Sequence, residues 1–197
     1  MKSIILFSTL TETNQEIILN RLFPSLIKNK VLAYMPSGGV DGVEKYTDEW
    51  RSIAEKYGTK FNVIDNVKYN EIEQKKLLDS NILVISGGNT YELLRNLRQS
   101  NLDKAIIEFT EKPEFILAGF SAGAIVLTPN INICGFGPDY DENIVGTDDL
   151  TGLGIVDFEV LPHYDEKLHG DAIKDYKKAT VNKVITITDE DYLNIEL

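Results

Sequence analysis

The chain has 197 residues, with 31 acidic side chains against 20 basic ones and a net charge of −11. It can bury a sizeable core, and its field disfavours nucleic acid and anionic membrane surfaces as partners. The balance of 43% hydrophobic and 26% charged residues is that of a soluble globular protein. No apolar run approaches the roughly 20 residues a membrane-spanning helix needs, and the single cysteine, Cys134, excludes an intrachain disulfide and suits a reducing cytoplasm.

The opening M-K-S-I-I-L-F-S-T-L has the charged and apolar regions of a signal peptide but no small-residue cleavage site, so it reads as a buried strand over residues 4–8. T-E-T-N-Q-E then supplies capping residues for a helix through Ile17, Ile18, Leu19 and Leu22. Residues 30–36 form a second strand, ended by Pro36 and the loop Ser37-Gly38-Gly39. Residues 44–57, with Trp50 and Ala54 among alternating charges, read as an exposed amphipathic helix. A strand over 61–64 and a helix over 71–80 follow, then the strand 82–85, a glycine loop and a helix through Leu97.

Residues 105–110 are helical, and the stretch F-I-L-A-G-F-S-A-G-A-I-V-L at 115–127 passes from strand to helix. Residues 128–149 break into a polar, Gly- and Asp-rich segment, a loop or hairpin of a length that is usually functional or mobile. A strand over 158–161 ends at Pro162-His163, a helix covers 170–178, a late strand 184–188, and residues 192–197 form an edge strand pairing back. Alternating strands and helices predict an α/β fold with a mostly parallel sheet covered on both faces. No repeat, low-complexity tract or linker divides the chain, so residues 1–197 are expected to form one domain.

The turn at 119–123, G-F-S-A-G, has the layout of a nucleophile elbow. In such an elbow a serine sits on a strained strand-to-helix turn, and Gly119 and Gly123 stand where any side chain would collide with the neighbouring elements. The following helix would aim its free N–H groups and positive dipole end at the Ser121 oxygen. A serine hydroxyl needs a base within hydrogen-bond reach and donors for the oxyanion. Of the two histidines, His163 follows a strand and a proline at a strand end, where α/β sites gather, whereas His169 lies in a polar segment expected to be exposed.

The loop Ser86-Gly87-Gly88-Asn89-Thr90 has neither the Walker lysine nor the spacing of a dinucleotide fingerprint, so an oxyanion hole accounts for it better than a phosphate site. Its donors would be the N–H groups of Gly88 and of Ala122, the residue after the serine. The acid that would orient the base is left open by the residues alone among Asp139, Asp141, Glu142 and the run Asp189-Glu190-Asp191. Metal-ligand spacing is absent, and no cofactor is expected.

Together, G-F-S-A-G-A around Ser121, I-S-G-G-N-T around Gly88 and L-P-H around His163 resemble the S51 peptidases, over most of the chain. The resemblance implies a three-layer αβα sandwich similar to class I glutamine amidotransferases, with Ser121 as nucleophile, His163 as base and Gly88 in the oxyanion loop. For the acid it offers two precedents: an aspartate between serine and histidine, near Asp139 or Asp141, and a glutamate after the histidine, which falls on Glu190. Glu190 is preferred. Family members with aspartyl dipeptidase activity hold the substrate aspartate with a basic residue beyond the histidine. This chain has no arginine there, only Lys167, Lys174 and Lys177, and a lysine does not reproduce bidentate guanidinium recognition.

The expected protein is therefore a cytoplasmic serine peptidase or dipeptidase acting on short peptides. Ser121, His163 and Glu190 or Asp141 carry the chemistry, Gly88 and Ala122 the oxyanion, and Asn89 and Lys167 are the candidate substrate contacts. A homodimer is left open. The alternatives are a ligand-binding pseudoenzyme of the same fold and an amidase or esterase on a non-peptide substrate.

Overall fold

The computed structural model describes residues 1–197. Eight strands run in chain order as β1 (Lys2–Phe7), β2 (Val31–Met35), β3 (Lys60–Val63), β4 (Ile82–Ile85), β5 (Phe115–Phe120), β6 (Phe158–Leu161), β7 (Lys183–Thr186) and β8 (Tyr192–Glu196). The helices are α1 (Gln15–Leu22), α2 (Glu44–Lys56), α3 (Glu71–Leu78), α4 (Thr90–Ser100), α5 (Leu102–Glu111), α6 (Ala122–Val126) and α7 (Glu166–Ala179).

Six strands form the central sheet in the order β3-β2-β4-β5-β1-β8. All pair in parallel except β8, which returns antiparallel along β1. The inner strands are continuous apolar runs because both faces are covered. Alternate residues still divide between the two faces. Ile4, Leu6, Ala33, Met35, Leu83, Ile85 and Leu117 join the larger core, with α3 to α7. Ile5, Phe7, Leu32, Tyr34, Ile82, Val84, Ile116 and Ala118 join the smaller one, under α1 and α2. The result is a three-layer α/β arrangement. No helix is long and apolar enough to cross a membrane.

Two local expectations change, and a third, left between loop and hairpin, resolves to the loop. The strand that leads to His163 does not join the central sheet: β6 pairs in parallel with β7 as a separate two-stranded sheet. The last long helix begins at Glu166 because the Asp165 carboxylate accepts the N–H groups of Lys167 and Leu168, an N-cap that draws H-Y-D-E-K-L-H into the helix. His169 accordingly lies on the buried stripe with Ile173 and Tyr176, 4% exposed rather than on the surface. Finally, residues 128–149 form no hairpin of paired strands. They hold one 3-10 turn, Asn132–Gly135, and an isolated bridge from Asn130 to Thr151.

The irregular segment is nonetheless tied down. The Asp141 N–H bonds the Cys134 carbonyl at 2.8 Å, and its carboxylate accepts the N–H of Thr90, the first residue of α4, at 2.9 Å. A carboxylate at that helix start is favoured by the free N–H groups and the positive end of the dipole.

Candidate active site

Strand β5 runs into α6 through Ser121, whose backbone sits at φ 52°, ψ −121°, a conformation L-residues rarely adopt. Hydrogen bonds over-determine it. The Ser121 N–H donates to the Phe7 carbonyl at 3.0 Å, and the Ser121 carbonyl accepts from Ala124 and Ile125. The flanking glycines are required by contact. A Cβ on Gly119 would lie 2.3 Å from the Gly123 carbonyl oxygen, and one on Gly123 would lie 2.1 Å from that of Ile85. α6 has only five residues, so its contribution at Ser121 is that of first-turn N–H groups rather than of a long macrodipole.

The base candidate arrives from the opposite side. After β6, Pro162 leads to His163, which takes a left-handed φ of 55° and is fixed through its amide. That N–H donates to the Ser8 hydroxyl at 2.8 Å, while the single hydroxyl hydrogen is directed at the Thr188 carbonyl (2.9 Å) with the Ile187 carbonyl also within reach (3.2 Å). One buried serine at the end of β1 thus joins the His163 turn to the turn that follows β7.

The imidazole of His163 stands between a hydroxyl and a carboxylate: Nε2 is 3.0 Å from Ser121 Oγ, and Nδ1 is 2.6 Å from Asp189 Oδ1. With Asp189 accepting the Nδ1 proton, Nε2 is left to accept from the serine. Such a chain can take a proton from the hydroxyl as it attacks a carbonyl and keep the resulting imidazolium beside a negative charge. Both side chains remain open to solvent, His163 at 44% and Asp189 at 53%, so a substrate can reach them.

The carboxylate beside His163 is therefore that of Asp189, and neither nominated acid reaches the ring. The turn is set by Asp191, which accepts from the Thr188 N–H and hydroxyl. Its geometry sends Asp189 toward His163 and Glu190 away to the Thr11 hydroxyl at 2.8 Å. Asp141 is occupied at the start of α4. Of the donors, Gly88 sits just after β4 at φ 143°, and neither its N–H nor that of Ala122 has a partner within the chain. Asn89 caps α4, accepting the Glu92 N–H at 3.0 Å and donating to the Glu142 carbonyl at 2.9 Å. Lys167 lies on the exposed face of α7 and lines neither cavity at Ser121. His169 is in the α7 core stripe, its Nδ1 3.0 Å from the Asp165 amide nitrogen.

Two cavities meet at Ser121 and His163. One, of about 400 Å³, is walled by Tyr34, Val43, Tyr46, Trp50 and Phe120. The other, of about 550 Å³, carries the carboxylates of Asp139, Asp141, Asp165 and Asp189 and contains no lysine or arginine. Cys134 lines this second cavity as a thiol, because burial pushes its pKa up to about 12. No group of three His, Cys, Asp or Glu side chains is arranged to hold a metal ion.

One contributor, Ser8, is not among the residues singled out from the sequence, and another, Asp189, stands there only as one of several open acids. Ser8 carried a signal, since a serine directly after an apolar strand stands at the carboxyl end where such sites gather. Asp189 carried none that separates it from its acidic neighbours.

Comparisons with known proteins show the family and the fold. The family model described as peptidase family S51 matches residues 4–196. An uncharacterized peptidase of Pasteurella multocida (strain Pm70) is 30% identical over 145 residues, covering 72% of this chain and 69% of the relative. The peptidase E of Nostoc sp. (strain PCC 7120) is 27% identical over 68% of this chain, though over only 52% of its own length. Among solved structures, a Listeria monocytogenes EGD-e protein provisionally assigned to peptidase E superposes with a TM-score of 0.74. That match covers 100% of this chain and 99% of the other at 23% identity, a likeness of fold. With the family model spanning nearly every residue, from the first strand to the last, the chain belongs to peptidase family S51.

Proposed function

We propose that the protein is a serine peptidase of short peptides in which Ser121 is the nucleophile, His163 the general base and Asp189 the acid that orients it. The single observation that carries the reading is the Ser121–His163–Asp189 chain, with its 3.0 Å and 2.6 Å contacts, built on a serine held at positive φ.

In the mechanism, Ser121 Oγ adds to the scissile carbonyl carbon as its proton passes to His163 Nε2. Asp189 keeps the Nδ1–H in place and stabilises the imidazolium without taking the proton. The carbonyl oxygen, now an oxyanion, is met by the unpartnered N–H groups of Gly88 and Ala122. Each such donor contributes roughly 10²–10³ in kcat. Collapse breaks the C–N bond, and the imidazolium gives its proton to the leaving amine. Water then repeats the cycle on the acyl-serine: His163 takes a proton from the water, the ester bond breaks, and Ser121 recovers its hydrogen.

Short peptides fit because the flanking cavities are small, at about 400 and 550 Å³. Relatives carry the names peptidase E and probable alpha-aspartyl dipeptidase. An acidic substrate residue is nevertheless poorly matched to either cavity here, since the larger holds four carboxylates, no lysine or arginine lines either one, and Lys167 stands apart. A lone buried thiol, Cys134, fits a reducing cytoplasm.

The test is hydrolysis of a dipeptide and tripeptide panel by the wild type and Ser121→Ala. The reading expects cleavage of at least one peptide by the wild type and a loss of about 10³-fold or more in the variant. Equal hydrolysis by both proteins would overturn it.

A further inference from the structure

The smaller cavity is built differently from the rest of the site. Tyr34 of β2 forms its floor, Trp50 of α2 one wall and Phe120, the residue directly before Ser121, another. The rings are stacked in series: Tyr34 lies 5.7 Å from Trp50, and Trp50 lies 6.0 Å from Phe120, centroid to centroid. Val43, half-buried, and Tyr46, exposed, stand at the mouth. Apart from His163, no titrating acid or base among Asp, Glu, Lys, Arg and His lines the chamber. Burial pushes the Tyr34 phenol up to about 12, so the floor stays neutral at ordinary pH.

The hydroxyls of Ser8, Thr9, Ser37 and Ser86 also line the space, but a carboxylate entering it exchanges water for neutral groups and, His163 apart, finds no cation. An apolar side chain loses only unfavourable contact with water, and an aromatic one gains ring-to-ring contact as well. Because Phe120 adjoins Ser121 and the cavity opens onto both Ser121 and His163, a side chain seated there belongs to a residue beside the bond under attack.

We propose that this aromatic chamber is the specificity pocket of the site, taking a large apolar or aromatic side chain next to the scissile bond in preference to an acidic one. The proposal rests on the peptidase reading for the identity of the bond but not for the binding itself.

The chamber contains its own reporter, since Trp50 is the only tryptophan in the chain. The experiment titrates Ser121→Ala, which holds peptide without turnover, with Phe-Ala, Ala-Phe, Asp-Ala and Ala-Asp while following tryptophan emission. At least one phenylalanine peptide is expected to shift the emission saturably and to bind about tenfold or more tightly than the aspartate peptide of the same order. Adding Val43→Asp to the Ser121→Ala protein places a charge at the mouth and is expected to weaken that binding by a similar factor. It does not threaten the fold, because Val43 is only half-buried and belongs to neither hydrophobic core.

Aspartate peptides binding as tightly as phenylalanine ones, an emission unmoved by either phenylalanine peptide, or undiminished binding with Val43→Asp would each overturn the proposal. Fluorophosphonate labelling of the wild type separates the two readings. Phenylalanine binding without labelling counts against the peptidase and for the chamber, while labelling without phenylalanine binding counts against the chamber alone.

Discussion

The hydroxyl of Ser8 accepts the His163 N–H at 2.8 Å while donating to the Thr188 carbonyl at 2.9 Å, so one side chain spaces the base from the residue that precedes Asp189. Ser8→Ala leaves that amide without its partner and removes the hydroxyl's bond to the Thr188 carbonyl, which keeps the Asp191 N–H, at an expected cost of about 1–3 kcal/mol in urea unfolding. The histidine also loses its anchor. Kinetics should show the fall mainly in kcat, by roughly tenfold or more, with KM little changed. A loss of stability with kcat intact would limit Ser8 to a structural role.

Gly123→Ala should be among the most damaging single-methyl changes in the chain. The added carbon would meet the Ile85 carbonyl oxygen at 2.1 Å, and that oxygen belongs to central strand β4 and cannot rotate aside. Overpacking of this kind costs about 3 kcal/mol or more when backbone must move. The urea midpoint and the soluble yield measure it. A variant as stable as the wild type would show that α6 is free to shift.

Away from the site, Glu159 of β6 is fully buried and has no cation beside it. Its Oε1 accepts from Asn130 (3.0 Å), Thr180 (2.6 Å) and Asn182 (2.9 Å), and its Oε2 from the Tyr176 hydroxyl. These donors come from the irregular segment, α7 and the turn after it, so the carboxylate fastens three parts of the chain together. Glu159→Ala should destabilise by about 2–5 kcal/mol, since it leaves both a cavity and orphaned donors. Glu159→Gln, which keeps the shape, should cost less.

The alkaline limb of stability is set by buried neutral acids. Burial raises the Cys134 thiol from 9.0 to about 12 and the phenols of Tyr34 and Tyr91 from 10.0 to about 12, and it raises Tyr176 as well. Above about pH 9 the unfolded chain therefore holds fewer protons than the native one, and stability falls with rising pH. The contribution is complete below pH 9 and is lost as pH climbs toward about 12. Urea midpoints across that range should decline, and Cys134→Ala should flatten the earliest part of the fall. Cys134 should also resist alkylation at neutral pH until the protein unfolds.

Much of this architecture is legible in the residues, and what is not has a physical reason. The apolar runs at β1, β2, β4 and β5 announce a doubly covered sheet, because strands buried on both faces cannot alternate. Gly119, Ser121 and Gly123 mark a crowded turn, and His163 stands out as the histidine at a strand end. Yet β6 (F-E-V-L) and β7 (K-V-I-T) read as short strands like the rest, and only pairing across the molecule places them in a separate sheet. The spacing of His169, Ile173 and Tyr176 is a helical stripe, and Asp165 is a good cap, so the early start of α7 was available to a closer reading. Choosing Asp189 over Glu190 was not, because consecutive acids differ only in which way a bend held by Asp191 and Thr188 points them.

Activation of Ser121 by His163, with Asp189 holding the ring, is open to direct measurement. It is tested most directly by the rate at which a fluorophosphonate labels Ser121, located by peptide mass spectrometry, in the wild type, His163→Ala, Asp189→Asn and Glu190→Gln. Labelling is expected at Ser121 in the wild type, with a fall of about 10²–10⁴ in the His163 and Asp189 variants and a Glu190 variant within a few-fold of normal. Such activation is contradicted if Ser121 in the wild type is not labelled, or if Asp189→Asn reacts at the wild-type rate while Glu190→Gln does not.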